Sequence, residues 1–277
     1  MKHCCRVFAL AGTVLLSSQV APAAAHDFWL DLPELRVASG EPVIVATRMG
    51  HADHAQAWPL SPSRVVSLRS AGLGGLVDHK AKVAMADDRG RMAIPLNGDG
   101  VHVLSFESTE SFSELEAEAF EAYLREEGLQ PIIEHRWQQK RTSIPGREMY
   151  SRRGKALVVV GEAPSTLPDY ATQPIGLTLE IMLDRLPSAV EQGAPLCATV
   201  LYRGSPTEGV QIVLNSLDDA SAKSETNITN QLGKSCFRRP VAGRYFLHSV
   251  WATPTGTTHA DYNTVFSSFT FQISHSS

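Results

Sequence analysis

The sequence predicts a mainly β protein built as two β-sandwich domains, the first with a helical insertion and the second immunoglobulin-like or transthyretin-like. Three observations predict it. Short apolar runs are broken by Gly, Pro, Asn and Asp roughly every ten residues, which is the rhythm of antiparallel strands. One stretch in the first half switches to helical spacing. A second set of short alternating runs then follows a Pro-rich linker, the pattern of a sandwich.

The leader comes first. Lys2, His3 and Arg6 precede an apolar run from Val7 to Leu16, a polar break at Ser17-Ser18-Gln19 and the tail Val20-Ala21-Pro22-Ala23-Ala24-Ala25. That is the order of a secretory signal. Ala23 and Ala25 offer the small side chains that signal peptidase requires, which places the cut before His26, with cleavage after Ala23 as the competitor. The apolar run is about ten residues, short of the roughly 20 that span a bilayer, so it reads as a cleaved signal rather than an anchor. Residues 1–25 are therefore expected to leave, and the chain to work in the periplasm or outside the cell. The remaining length exceeds the usual single domain. It divides into an N-terminal β domain over 26–165 and an immunoglobulin-like domain over 174–275.

In the first domain, breaks at Gly40-Glu41, Gly50, Gly72, Gly74-Gly75, Asp88-Arg89-Gly90 and Asn97-Gly98-Asp99-Gly100 separate the runs, and Val101 to Phe106 is the next strand. From Phe112 to Gly128, Phe112, Leu115, Ala119, Tyr123 and Leu124 share one helical face, with Glu114, Glu116, Glu118 and Glu121 on the other. Gly128 supplies the C-cap. Pro131 starts a second helix through Ile132, Ile133, His135 and Trp137 to Lys140. This insertion, near 112–141, is expected to cover one face or edge of the sheet. Ala156 to Val160 is a strand, and 161–173, with Pro164 and Pro168, is a linker. Beyond it, Leu177–Leu183, Leu196–Tyr202, Val210–Ser216, Ser235–Arg238, Gly243–Trp251 and Tyr262–Ile273 read as strands. Cys4 and Cys5 leave with the leader. Cys197 and Cys236, on two of these strands, form a disulfide in an oxidising compartment, with two buried thiols as the alternative.

Loss of Lys2 and Arg6 makes the chain more acidic than the −4 of the full sequence. Such a surface repels phosphate backbones, so nucleic acid is no partner. No later run reaches membrane-spanning length, so no direct membrane insertion is expected.

The chemistry-bearing residues are histidines. His26 with Asp27 opens the chain after the leader, and Gly50-His51-Ala52-Asp53-His54 follows a strand end. A terminal His presents an amine and an imidazole to one metal, donors that suit Ni²⁺, Cu²⁺ and Zn²⁺. His51 and His54 sit three residues apart in a loop, where both can turn to one centre or remain two solvated side chains. His248 lies on a strand, with His259-Ala260-Asp261 in the next loop. His248 and Asp261 read either as a metal pair or as a hydrogen-bonded core pair. His102, alternating with Val101 and Val103, reads as exposed. There is no Gly-x-Ser-x-Gly elbow, His-Glu-x-x-His helix, Walker loop or dinucleotide fingerprint, so catalysis is unsupported.

Several segments taken together carry a family resemblance. They are Ala25-His26-Asp27-Phe28-Trp29-Leu30, Gly40, Arg147-Glu148-Met149-Tyr150-Ser151-Arg152, Lys155-Ala156-Leu157-Val158 to Gly161, Gly176 to Ile181, Gly243-Arg244-Tyr245 and Phe269-Thr270-Phe271. In their order and spacing the chain resembles a bacterial secreted family of unknown function. Its members are commonly described as nickel-uptake accessory proteins, akin to the substrate-specific component of a nickel transporter. The resemblance implies an N-terminal β domain, an immunoglobulin-like C-terminal domain and a link to transition-metal uptake, with His26 as the ligand it supports; the His51/His54 pair departs from its pattern. The leading expectation is a periplasmic protein that binds nickel or another divalent transition metal through His26, His51, His54, His248 and Asp261 and serves a membrane metal transporter. Two other classes stay open: an interaction or adhesion module of the cell envelope, and a copper-dependent oxidative enzyme with an N-terminal His site.

Overall fold

The structure is a computed structural model and describes residues 27–51, 54–58, 60–162, 169–187, 194–219, 221–238 and 241–274. The segment read as a leader, with its expected cleavage site, lies outside the described residues. The protein is mainly β, as the turn rhythm predicts. In chain order the strands of the first half are β1 (Phe28–Asp31), β2 (Arg36–Val37), β3 (Val43–Met49), β4 (Gln56–Ala57), β5 (Val65–Gly72), β6 (Gly75–Asp78), β7 (Arg91–Ile94), β8 (Gly100–Ser108) and β9 (Ser111–Leu115). Helices α1 (Ala117–Glu126) and α2 (Gln130–Gln138) follow, then the long strand β10 (Gly146–Val160) and a short helix α3 (Asp169–Thr172). The second half holds β11 (Leu179–Leu183), β12 (Leu196–Tyr202), β13 (Ser205–Pro206), β14 (Gln211–Ser216), β15 (Glu225–Ile228), β16 (Lys234–Phe237), β17 (Gly243–Pro254) and β18 (Tyr262–Ile273).

A ten-stranded sheet takes strands from both halves, in the order β15-β14-β17-β18-β10-β8-β5-β6, with β2 and β9 also on β10. The β10–β18 pairing is parallel, from Glu148 opposite Tyr262 to Ala156 opposite Thr270. Two smaller sheets lie over it, one of β1, β3, β4 and β7 and one of β11, β12, β13 and β16. Alternation along the strands sends side chains to opposite faces. Ala156, Val158 and Val160 of β10 therefore join Phe28, Leu30 and Phe106 in one core, while Leu157 joins Leu179, Ile181 and Phe269 in another.

The helical hairpin makes a third core. Phe120, Tyr123, Leu124 and Ile132 pack on Val250, Ala252, Tyr262 and Phe266, so the insertion covers one face of the sheet. Gly146 accommodates it, because the Phe120 ring stands where a Cβ would project. Pro131 opens α2 and Gly128, at φ +65°, closes α1, each as its residue type predicts. One expectation is corrected here. Phe112 and Leu115 are not on the helix: Ser111–Leu115 is a strand, paired antiparallel with Gly146–Tyr150. Ladder bonds to β10 override the helical spacing of those five residues, and the helix starts only at Ala117.

Cys197 and Cys236 face each other across the β12–β16 ladder and are disulfide-bonded, with Cα atoms 4.0 Å apart. The bridge closes a loop with a sequence separation of 39. Replacing both cysteines by Ser should destabilise the protein by roughly 3 to 4 kcal/mol in the chain-entropy account, measured by urea unfolding. Two free thiols in the unfolded, unreduced protein would contradict the bridge.

Beneath the hairpin lies Glu148, 1% exposed. Its Oε2 accepts from Thr264 Oγ1 at 2.6 Å and Tyr123 Oη at 3.4 Å, and its Oε1 has no partner among the described residues. Burial pushes this carboxyl up to about 7, against the opposing pull of the two hydrogen bonds and the Arg152 charge. A raised carboxyl binds its proton more tightly folded than unfolded. Its contribution is therefore full below about pH 4.5 and is lost as the pH rises to about 7. Glu148→Gln should remove that dependence. Between pH 5 and pH 8 the variant should gain up to about 3 kcal/mol on the wild type, read by urea unfolding at each pH. A constant difference would mean that the carboxylate is ionised throughout.

Candidate functional site

The hairpin and β1 lie on the same face of the ten-stranded sheet, and between them is a cleft of about 190 Å³. Its floor is Val213 on β14 and His248 on β17, opposite each other in the ladder. Gln211 and Asn215 stand two residues to either side of Val213, so the period-two pleat turns them to the same face. Ser224 and Thr226 extend the wall toward β15. Glu126 and Glu127 enter from the end of α1, Asp27 from the start of β1 and His51 from the loop after β3.

Local backbone chemistry places these side chains. Leu129 N donates to Leu124 O at 2.8 Å around Gly128, turning the chain so that α1 stops at the cleft rim. Gln211 Nε2 donates to Glu126 O at 2.7 Å and ties that helix end to the floor. A Cβ on Gly128 would come within 2.7 Å of the Gln211 side chain. On the opposite rim, Gly50, at φ +127°, donates its N–H to Asp27 O at 3.0 Å, which sets residue 51 beside residue 27.

The central contact is His248 Nδ1 to Asp27 Oδ1 at 3.1 Å, with side-chain exposures of 12% and 10%. A carboxylate on Nδ1 selects the tautomer with the proton there and leaves Nε2 as the acceptor nitrogen, the arrangement that second-shell carboxylates impose on metal-ligating histidines. Glu127, 5% exposed, completes the acidic wall. Burial, and then the neighbouring carboxylates of Asp27, Glu126 and Glu148, push its carboxyl well above the usual range.

The predicted residues are distributed as follows. His248 and His51 line the cleft; His54 is exposed, turned through a 3.0 Å bond from its N–H to His51 O, and is not among the lining residues. His26 lies outside the described residues, and its covalent neighbour Asp27 stands in the cleft. Asp261 is engaged elsewhere. It takes Arg141 at 2.8 Å and Arg147 at 3.1 Å, and although burial works the other way, these two hold its carboxyl below the ordinary range. His248 thus pairs with Asp27 and not with Asp261. His102 is buried rather than exposed: its Nε2 lies 2.8 Å from Gly98 O and its ring fills the space above Gly72. Among the described residues, no three His, Cys, Asp or Glu side chains converge closely enough to hold a metal ion.

Glu127 and Asn215 escaped the sequence reading. Glu127 had a signal: acidic residues in the last turn of a helix oppose its dipole, and Glu126-Glu127 sits there just before Gly128. Asn215, within a strand, had none.

No curated protein matches the chain. Among solved structures it is similar to a tetra-tandem repeat from the extending region of a large adhesion protein, at 11% identity over 90% of this chain and 49% of that one, TM-score 0.21. It is also similar to the D0-D1 domain of intimin, at 10% identity over 88% of this chain and 97% of that one, TM-score 0.19. A mutant Salmonella alpha-2-macroglobulin overlaps 95% of this chain and 15% of its own length, at 13% identity and TM-score 0.24. Superpositions this loose say nothing of what the chain does. Residues 23–253 match the family described as a domain of unknown function, DUF4198, and over that span, most of its length, this protein belongs to it.

Proposed function

We propose that the protein captures a divalent transition-metal ion, nickel in the first instance, in the cell envelope and presents it to a membrane transporter. The observation that carries this reading is the Asp27–His248 pair, 3.1 Å apart, beside position 26 in the chain. Asp27 orients the ring, His248 Nε2 is the ligand, and His51 lies on the rim of the same cleft. His26, the ligand that the sequence points to first, is assigned to the same ion, with its ring and the amine that cleavage before it would free. Imidazole and amine nitrogens suit Ni²⁺ over the alkaline-earth cations, which prefer oxygen. The acidic wall of Asp27, Glu126 and Glu127 favours a cation over an anion. The Cys197–Cys236 bridge fits an oxidising compartment, and no helix of the described residues is long and apolar enough to cross a membrane.

The test uses protein secreted from its own leader, with its N-terminus sequenced, and Ni²⁺ binding measured by calorimetry. His248→Ala and His26→Ala should each abolish stoichiometric binding, and Asp27→Ala should weaken it by about 10- to 100-fold, the usual effect of losing an orienting carboxylate. Acidification to below about pH 6 should release the metal, because ligating imidazoles must be neutral. His26→Ala should leave apo-protein stability within about 1 kcal/mol. Undiminished affinity in the His248→Ala variant would refute the assignment.

A further inference from the structure

Three carboxylates, Asp27, Glu126 and Glu127, line the cleft with no Lys or Arg beside them. Glu127 is the one without compensation. The residue is 5% exposed, yet its carboxylate accepts no hydrogen bond and meets no cation among the described residues, and the charges that act on it, those of Asp27, Glu126 and Glu148, all share its sign. Its oxygens are not sealed from solvent as Glu148 Oε1 is, so they are open to the cleft they line. A carboxylate this buried is costly without a partner. A cation seated against it removes that cost. On the other side of the cleft, Asp27 holds His248 with Oδ1, and its Oδ2 has no partner among the described residues and is likewise not sealed.

We infer that the cleft takes a short aliphatic diamine in its doubly protonated form, with one ammonium against Glu127 and Glu126, the other against Asp27 Oδ2, and the methylenes over Val213. Placement of the acids selects this class. Glu127 enters from the end of α1 and Asp27 from the start of β1, and the described acids and imidazoles do not converge on one point. Negative charge at two separated places suits a cation whose charge is also at two places, and each ammonium donates charge-assisted hydrogen bonds to its carboxylate. Size agrees. At about 30 Å³ per water, a cleft of about 190 Å³ has room for about six non-hydrogen atoms, the size of a four-carbon diamine. A neutral molecule of that length would leave both carboxylates uncompensated, and a monoamine would leave one. This occupant is separate from the metal ion proposed above, and its seat does not involve His26.

Calorimetry of the secreted protein in EDTA tests this apart from metal binding, with 1,4-diaminobutane, n-butylamine and 1,4-butanediol as probes. The diamine should bind one to one and about tenfold or more tighter than the monoamine, and the diol should not bind. Glu127→Gln, which keeps the shape of the side chain and removes its charge, should weaken the diamine by about 10- to 100-fold, the scale of a hydrogen bond to a charged group. If that variant does not fold, Glu126→Gln reads the same wall from an exposed position and should weaken the diamine by about two- to fivefold, as for an exposed ion pair. Diamine bound no more tightly than the monoamine, or undiminished in the variants, would overturn the assignment. Binding of the diol, or displacement of the diamine by equimolar Mg²⁺, would overturn it as well. None of these results depends on Ni²⁺, so the metal reading stands or falls by its own test.

Discussion

The structure depends on the backbone of β10. Its N–H and C=O groups lie in the interior, where each needs a partner, and no single hairpin reaches along fifteen residues. Four strands share the ladder. β9 takes Gly146–Tyr150, β8 takes Leu157–Val160 and β2 takes the last two residues on one side or the other, while β18 runs parallel to it from Glu148 to Ala156. A parallel partner cannot come from an adjacent hairpin. It comes from the end of the chain, so the first half cannot complete its central strand without the last.

The side chains of β10 reinforce that dependence. Lys155 and Glu180, 2% and 1% exposed, meet at 2.9 Å between the ten-stranded sheet and β11. Lys155 Nζ also donates to Ile181 O at 3.0 Å and lies 4.7 Å from the Phe269 ring. Glu180 accepts from the backbone N–H groups of Ile175, Gly176 and Leu177. Burial lowers the lysine pKa and the glutamate opposes that fall. A buried pair so fully hydrogen-bonded specifies how the segment after the linker sits, since either charge left alone would cost about 3 to 5 kcal/mol. At Gly154, one residue away, β1 crosses close enough that a Cβ would stand 3.2 Å from Phe28 and Leu30. Thr270 Oγ1 on the neighbouring strand donates to Leu30 O at 2.7 Å, fixing the crossing.

The cleft is a consequence of this geometry. One face of the sheet carries two covers, the helical hairpin seated by Phe120 over Gly146 and the strand β1 seated over Gly154, and the gap between them falls above His248. Asp27 is there because it immediately precedes β1, Glu127 because Gly128 ends α1, and Asn215 because β14 pairs with β17. Three separate segments thus converge on one cleft.

Much of the architecture was legible before any coordinates. Turn residues at regular spacing marked most of the strands, Gly128 and Pro131 marked the hairpin, and Cys197 with Cys236 identified their bridge, because these signals act locally through backbone conformation or covalent chemistry. Phe112 and Leu115 misled, since their helical spacing was weaker than the ladder bonds that β10 offers. His102 misled because a polar residue on a strand gives no sign that Gly98 O waits to bond it. The sequence by itself determined the residue types and the local elements, including two histidines and an aspartate that line the cleft. Only the tertiary structure decided that His248 faces Asp27 while Asp261 is held by two arginines. Pairings between residues some 200 positions apart follow from strand order and register, and a one-residue slip would turn each of those side chains to the other face.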